Sequence, residues 1–382
     1  MLSFSAVALV LAVFINSGHG QNGHNPGTGM VEWLMPSLPS NRPQSLEQEE
    51  RGRQIGRALP KPEILQPAID TDLPAYRPRE DAGKLSGSFK GACSDVLPDL
   101  VKRWITAFQR YYPDVKFDVG PPYAGSLGAQ ELVKSNLNFV VVSRELRPDD
   151  IKDFQAKFGY APLSVPVSGG SYRHFGFLDT VAFLVNKENP IEKLSFKQLD
   201  AILSRTHFRG GEKITEWGQV GLTGDWENKP IHMYGIKPWN GYEEFIRQRV
   251  LSIPGKRGEW REDIAFDKLV FPVAGRVATD RYGIGYTGLA YLDAGVKVLP
   301  VSPDDAGPFY APTYDNVAQA NYPLARLIYF NTNKVPGKPL DPALYEFLRF
   351  VLSRDGQQIV REQQIFLPLR APQADSSRTL LK

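Results

Sequence analysis

Three short segments carry residue types suited to holding an anion: Gly91-Ala92-Cys93-Ser94-Asp95, Tyr123-Ala124-Gly125-Ser126-Leu127-Gly128 and Asn240-Gly241-Tyr242. Each stands where a strand-like run gives way to a helix-like one. A helix start presents unpaired N–H groups and about half a positive charge, which suits phosphate, sulfate or a carboxylate. Small residues let a ligand approach the backbone, and Ser or Asn side chains add donors. Taken singly, each segment reads first as an ordinary helix cap. Ser143-Arg144 follows an apolar strand. The arginine fits an anion contact or a pair with a neighbouring carboxylate.

Other chemistries find little support. The single cysteine, Cys93, excludes an internal disulfide and any multi-cysteine metal centre. With no histidine near it in sequence, it reads as a small packing residue before a nucleophile. The five histidines show no ligand spacing, so neither a metal nor another cofactor is expected. A net charge of +3 is too small to imply a nucleic acid or an anionic membrane as partner. No nucleophile–base pair is evident, which argues against a hydrolase of phosphate esters and against an enzyme generally.

The elements that must position these segments follow from hydrophobic spacing. Residues 2–15 form an apolar run too short to cross a bilayer, followed by Gly18 and Gly20 at signal-peptidase spacing. Residues 1–20 therefore read as a signal peptide and predict an exported protein, periplasmic or secreted, with no membrane insertion. Residues 21–83 contain nine prolines and few periodic apolar positions, which predicts a linker or a strap laid over the body. From residue 84 onward strands and helices alternate, the pattern of an α/β protein. Leu97, Leu100, Val101, Trp104, Ile105 and Phe108 predict a helix over 95–112, capped by Ser94 or Asp95 and stopped by Pro113.

Strands are expected at 139–142, 180–185, 231–236, 296–301 and 327–330. Pro148 opens a helix that Gly159 closes. Ser195 and Gln198 form a capping box ahead of Leu199, Ile202 and Leu203. Asn240 opens a helix carrying Phe245, Ile246 and Val250, and Asp341-Pro342 caps another carrying Leu344, Phe347, Leu348 and Val351.

Residues 84–369, three quarters of the chain, resemble the phosphate-binding proteins of bacterial ABC uptake systems. The segments that carry this are Gly91 to Leu97, Ser143-Arg144, Thr180 to Val185 with Asn186-Lys187-Glu188-Asn189-Pro190, and Ser195 to Leu203. Further matches are Tyr282-Gly283-Ile284-Gly285-Tyr286, Tyr322-Pro323-Leu324-Ala325-Arg326 and Leu352-Ser353-Arg354-Asp355-Gly356-Gln357, with Leu73-Pro74-Ala75-Tyr76 in the tail. The resemblance implies a two-lobed type II periplasmic-binding-protein fold, each lobe a mostly parallel sheet flanked by helices, with the ligand in the cleft. It divides the chain into lobe 1 at 84–179, lobe 2 at 180–286, the return of lobe 1 at 287–370 and a C-terminal tail at 371–382. It also implies inorganic phosphate or another oxyanion as ligand, an ABC permease as partner, and a monomer.

Carried over by position, the ligand contacts implied are Cys93, Ser94, Gly125, Ser126, Ser143 and Arg144, with Asp179 at the hinge and Asn240, Gly241 and Tyr242 in lobe 2. Lobe 2 departs from the pattern. Relatives commonly place an arginine before a Ser-Gly-Thr turn, and here Ile236 stands at that place with Asn240-Gly241-Tyr242 as the turn. The first junction differs as well: Cys93 replaces a usual glycine and Val96 a usual threonine. Losing one charge-assisted hydrogen bond weakens binding about 10- to 100-fold. These departures leave a second reading, in which an altered cleft serves as an interaction module in sensing, secretion or the envelope.

Overall fold

Short apolar strands feeding amphipathic helices build most of the chain. The computed structural model describes residues 68–79, 84–120, 125–174, 178–238 and 240–382, with backbone alone for 125–127. The signal peptide, the tail up to residue 67, Tyr123-Ala124 and Trp239 lie outside the described residues. In chain order the first part holds β1 (Gly87–Cys93), α1 (Pro98–Phe108), β2 (Val115–Val119), α2 (Gly125–Lys134), β3 (Phe139–Val142), α3 (Pro148–Phe158) and β4 (Leu163–Gly169). The middle part holds β5 (Val181–Asn186), β6 (Leu194–Ser195), α4 (Phe196–Leu203), β7 (His232–Ile236), α5 (Gly241–Ile246), β8 (Ala265–Asp267), α6 (Pro272–Thr279), β9 (Gly283–Gly288), β10 (Val296–Val298), β11 (Val301–Ser302) and α7 (Tyr314–Ala318). The chain then returns through β12 (Leu327–Thr332), α8 (Pro342–Val351), α9 (Arg354–Gln363) and α10 (Ala371–Thr379).

Two five-stranded sheets result, ordered β2-β1-β3-β12-β4 and β10-β5-β9-β7-β8. In the first, β1 pairs parallel with β2 and β3, and β12 runs antiparallel to both of its neighbours. In the second, β7 pairs parallel with β8 and β9, and β5 runs against its neighbours. The reversed strand of each sheet is the first one laid down after the chain changes sheets. Each lobe is thus a mostly parallel sheet flanked by helices. The lobes carry separate cores, one around Trp104, Phe108, Phe139, Phe330 and Phe347, the other around Phe183, Trp217, Phe245, Trp260 and Tyr286. Each fully buried large side chain in these cores contributes about 1.5–3 kcal/mol relative to leaving it exposed.

Local readings hold in most places and fail where turns intervene. Ser195 caps α4 through a hydrogen bond from the Gln198 N–H, Gly159 ends α3 with a positive φ, and Asp341 caps α8. The helix expected over 95–112 is shorter: α1 begins at Pro98, and neither Ser94 nor Asp95 caps it. Ser94 instead belongs to a turn closed by a hydrogen bond from the Leu97 N–H to the Ser94 carbonyl. The strand expected over 296–301 is divided at Leu299-Pro300, because proline lacks the N–H a continuous ladder needs. Residues 371–382, expected as a tail, contain α10, with Ala374 and Leu381 buried in the lobe 1 core.

Residues 68–79 lie as a strap on lobe 1. Leu73 is fully buried, and the Tyr76 hydroxyl donates to the buried Glu346 carboxylate at 2.6 Å. Arg354 binds the strap's backbone carbonyls at Leu73 and Thr71.

Candidate functional site

The first junction ends β1. Cys93 is buried, and burial, reinforced by Asp95, pushes its thiol up to about 12. It is a packing residue, neutral at physiological pH. Ser94 is also buried, and its N–H donates to the Val141 carbonyl at 2.9 Å, which seats its turn against the end of β3. Gly125 and Ser126 open α2. Ser143 and Arg144 follow β3; Arg144 is buried, and its Nη1 donates to the Glu145 carbonyl at 2.8 Å.

In lobe 2, Asn240 is the N-cap of α5, and its Oδ1 accepts the Tyr242 N–H at 2.9 Å. That amide is therefore already engaged within the turn. Ile236 is a fully buried core residue. Its backbone N–H and carbonyl both bond the Tyr286 hydroxyl at 3.2 Å. Lys237, the next residue, is exposed and lies just beyond the end of β7.

Asp179 sits between β4 and β5 with no exposed surface. Its Oδ1 accepts the Tyr242 hydroxyl and its Oδ2 accepts the Ala290 N–H at 2.9 Å. Burial drives its carboxyl up to about 6, against the opposing pull of Tyr242, Ala290 and the charge of Arg326. The same carboxylate, together with burial, keeps the Tyr242 hydroxyl protonated.

Arg326 enters just before β12 and is 5% exposed. Its guanidinium lies over the rings of Tyr242 and Phe245, at 4.9 and 5.5 Å from their centroids. Its Nη2 reaches the Ser143 carbonyl at 3.5 Å. A Cβ built on Gly241 would stand 3.9 Å from that same nitrogen, with no other described heavy atom within 4 Å. One cation therefore spans the gap between Ser143 of lobe 1 and Gly241 of lobe 2.

A mixed set of charges continues the lobe contact beyond this point. Glu145, following β3, pairs with Arg249, beyond α5, at 2.7 Å and accepts the Tyr329 hydroxyl at 2.8 Å. Glu244 is fully buried and takes both guanidinium nitrogens of Arg257, at 2.7 and 2.6 Å. Burial raises its carboxyl, but Arg257, with the charges of Arg147 and Arg144 from lobe 1, holds it below the usual range. Among the described residues no cluster of His, Cys, Asp or Glu is suited to a metal ion. No helix among them is long and apolar enough to cross a membrane.

Sequence reasoning quoted Arg326 only inside a motif and gave it no place in the site. A signal was present: it is a lone cation within the apolar run Leu324-Ala325-Arg326-Leu327-Ile328. A buried charge in such a run needs a partner or a task. The Glu145–Arg249 pair carried no comparable signal, because the two residues are distant in sequence and ordinary in type.

A family model described as a PBP superfamily domain matches residues 78–355. The phosphate-binding protein PstS of Pseudomonas aeruginosa is 33% identical over 312 residues, spanning 81% of this chain and 91% of that protein. The phosphate-binding protein PstS of Staphylococcus saprophyticus is 25% identical over 293 residues, spanning 75% and 83%. Among solved structures, PstS of Borrelia burgdorferi covers 75% of this chain and all of its own, with a TM-score of 0.50 at 20% identity. The two reversed-strand sheets, the hinge acid and the lobe-to-lobe cation are thus features of a chain that belongs to the PBP superfamily, within the PstS group of phosphate-binding proteins.

Proposed function

We propose that the chain captures phosphate in the cleft between its lobes and delivers it to a membrane ABC permease. The observation that carries this reading is the meeting of the Ser143-Arg144 turn of lobe 1 and the Asn240-Gly241 turn of lobe 2 at one buried cationic gap. Ser94, Ser143 and Arg144 supply hydroxyl and guanidinium donors from one side, and the Gly241 backbone supplies an N–H from the other. Asp179 steadies lobe 2 through Tyr242 and Ala290 rather than meeting the ligand. The curated relatives, one of them 33% identical, are named for phosphate binding, and the reading is one of capture rather than reaction. Residues 1–20 read as an export signal, which supports a periplasmic or secreted location for the mature chain.

Isothermal titration of the mature protein with phosphate, sulfate and molybdate tests this. Saturable phosphate binding in the micromolar range or tighter is expected. Silence with all three anions at millimolar concentration refutes it, and a preference for molybdate would reassign the ligand.

A further inference from the structure

Arg326 is a buried cation whose hydrogen-bonding capacity is almost unused. A guanidinium has five N–H donors, and a buried one normally finds carboxylate or carbonyl partners for most of them. Among the described residues Arg326 makes one long hydrogen bond, to the Ser143 carbonyl, and its buried Nε has no partner. The acids near it, Asp179 and Glu145, do not close the deficit: the Asp179 oxygens are held by Tyr242 and Ala290, and the Glu145 Oε1 by Arg249 and Tyr329. The Tyr242 and Phe245 rings flank the guanidinium and hold its orientation without consuming a donor.

We propose, resting on the phosphate reading above, that Arg326 is the principal ligand-binding cation of this cleft. Its Nη2 already stands between the carbonyl of Ser143 and the open face of Gly241. A tetrahedral oxyanion in that gap receives two N–H donors from Arg326 and has Arg144 as a second positive charge.

The source of the charge has a consequence. β3 and β12 are hydrogen-bonded neighbours, with Tyr329 opposite Val142, so Arg144 and Arg326 leave the same end of the lobe 1 sheet. Both cations are therefore fixed on lobe 1. The anion loads onto lobe 1 first, and lobe 2 closes with a neutral glycine turn and the Tyr242 ring.

Calorimetry with inorganic phosphate on wild type, Arg326→Gln and Arg326→Lys tests this, together with a crystal structure of the wild-type protein with phosphate. R326Q is expected to weaken binding about 10- to 100-fold, and R326K less, since it keeps the charge but loses the fork. In the complex an Arg326 nitrogen should lie about 3 Å from a phosphate oxygen. Wild-type binding with both variants within twofold, or phosphate seated out of reach of Arg326, overturns the inference and leaves the function standing. No phosphate binding by wild type overturns both. Should R326Q fail to fold, R326K and the crystal structure decide the matter.

Discussion

Replacing Asp179 with asparagine isolates the energetic cost of an ionised acid at the hinge. The carboxyl is fully buried, and its pKa rises from 3.8 to about 6. A rise of roughly two units corresponds to about 3 kcal/mol. The sign follows from proton binding: between pH 4 and 6 the native state holds a proton that the unfolded chain has released. The contribution of this group is therefore greatest below pH 4 and is lost as pH rises through 6. Asparagine retains an oxygen for the Tyr242 hydroxyl but turns an amide toward the Ala290 N–H, which costs about 1–3 kcal/mol at every pH. The informative quantity is therefore the slope and not the absolute stability. Urea unfolding between pH 4 and 8 should show the gap between variant and wild type shifting by about 3 kcal/mol in favour of the variant as pH rises. Parallel stability curves would refute the reasoning and place the Asp179 charge in a better compensated environment.

Three further expectations concern the packing around this site. Glu145→Gln removes the ion pair from lobe 2 at Arg249, a partly exposed contact. Phosphate release measured by stopped flow should accelerate about two- to fivefold at low salt, with the difference fading at high salt. Gly288→Ala places a methyl group on the Asp179 carboxylate, so unfolding experiments should show a loss of about 1–3 kcal/mol. An unaltered midpoint would mean that the hinge has slack. Cys93, buried with its thiol raised to about 12, should resist iodoacetamide at pH 8 in the native protein and react in denaturant; native labelling would contradict that burial.

Much of the scaffold was legible because its signals are local. The Ser195–Gln198 capping box, the Gly159 helix end and the Asp341-Pro342 start each depend on residues within one turn of one another, so type and spacing suffice. Ser94 misled for a related reason. A serine ahead of an amphipathic run satisfies the rule for a cap, but its turn is held by β3, which sequence spacing does not reveal. The lobe division that the resemblance implies left the final twelve residues as a tail, and only the packing of α10 against β4 makes Ala374 and Leu381 core residues.

The sequence by itself determined the class of the molecule: alternating strands and helices, and small-residue turns suited to an anion. Tertiary structure alone decided which charges meet. Arg326 lies far along the chain from both Ser143 and Gly241, and it reaches them because β12 pairs beside β3 when the chain returns to lobe 1. Asp179 is drawn to Tyr242 and Ala290 in the same way, across the hinge. Hydrophobic periodicity is written into neighbouring residues, whereas electrostatic pairing across a cleft depends on the distances that two sheets adopt after folding.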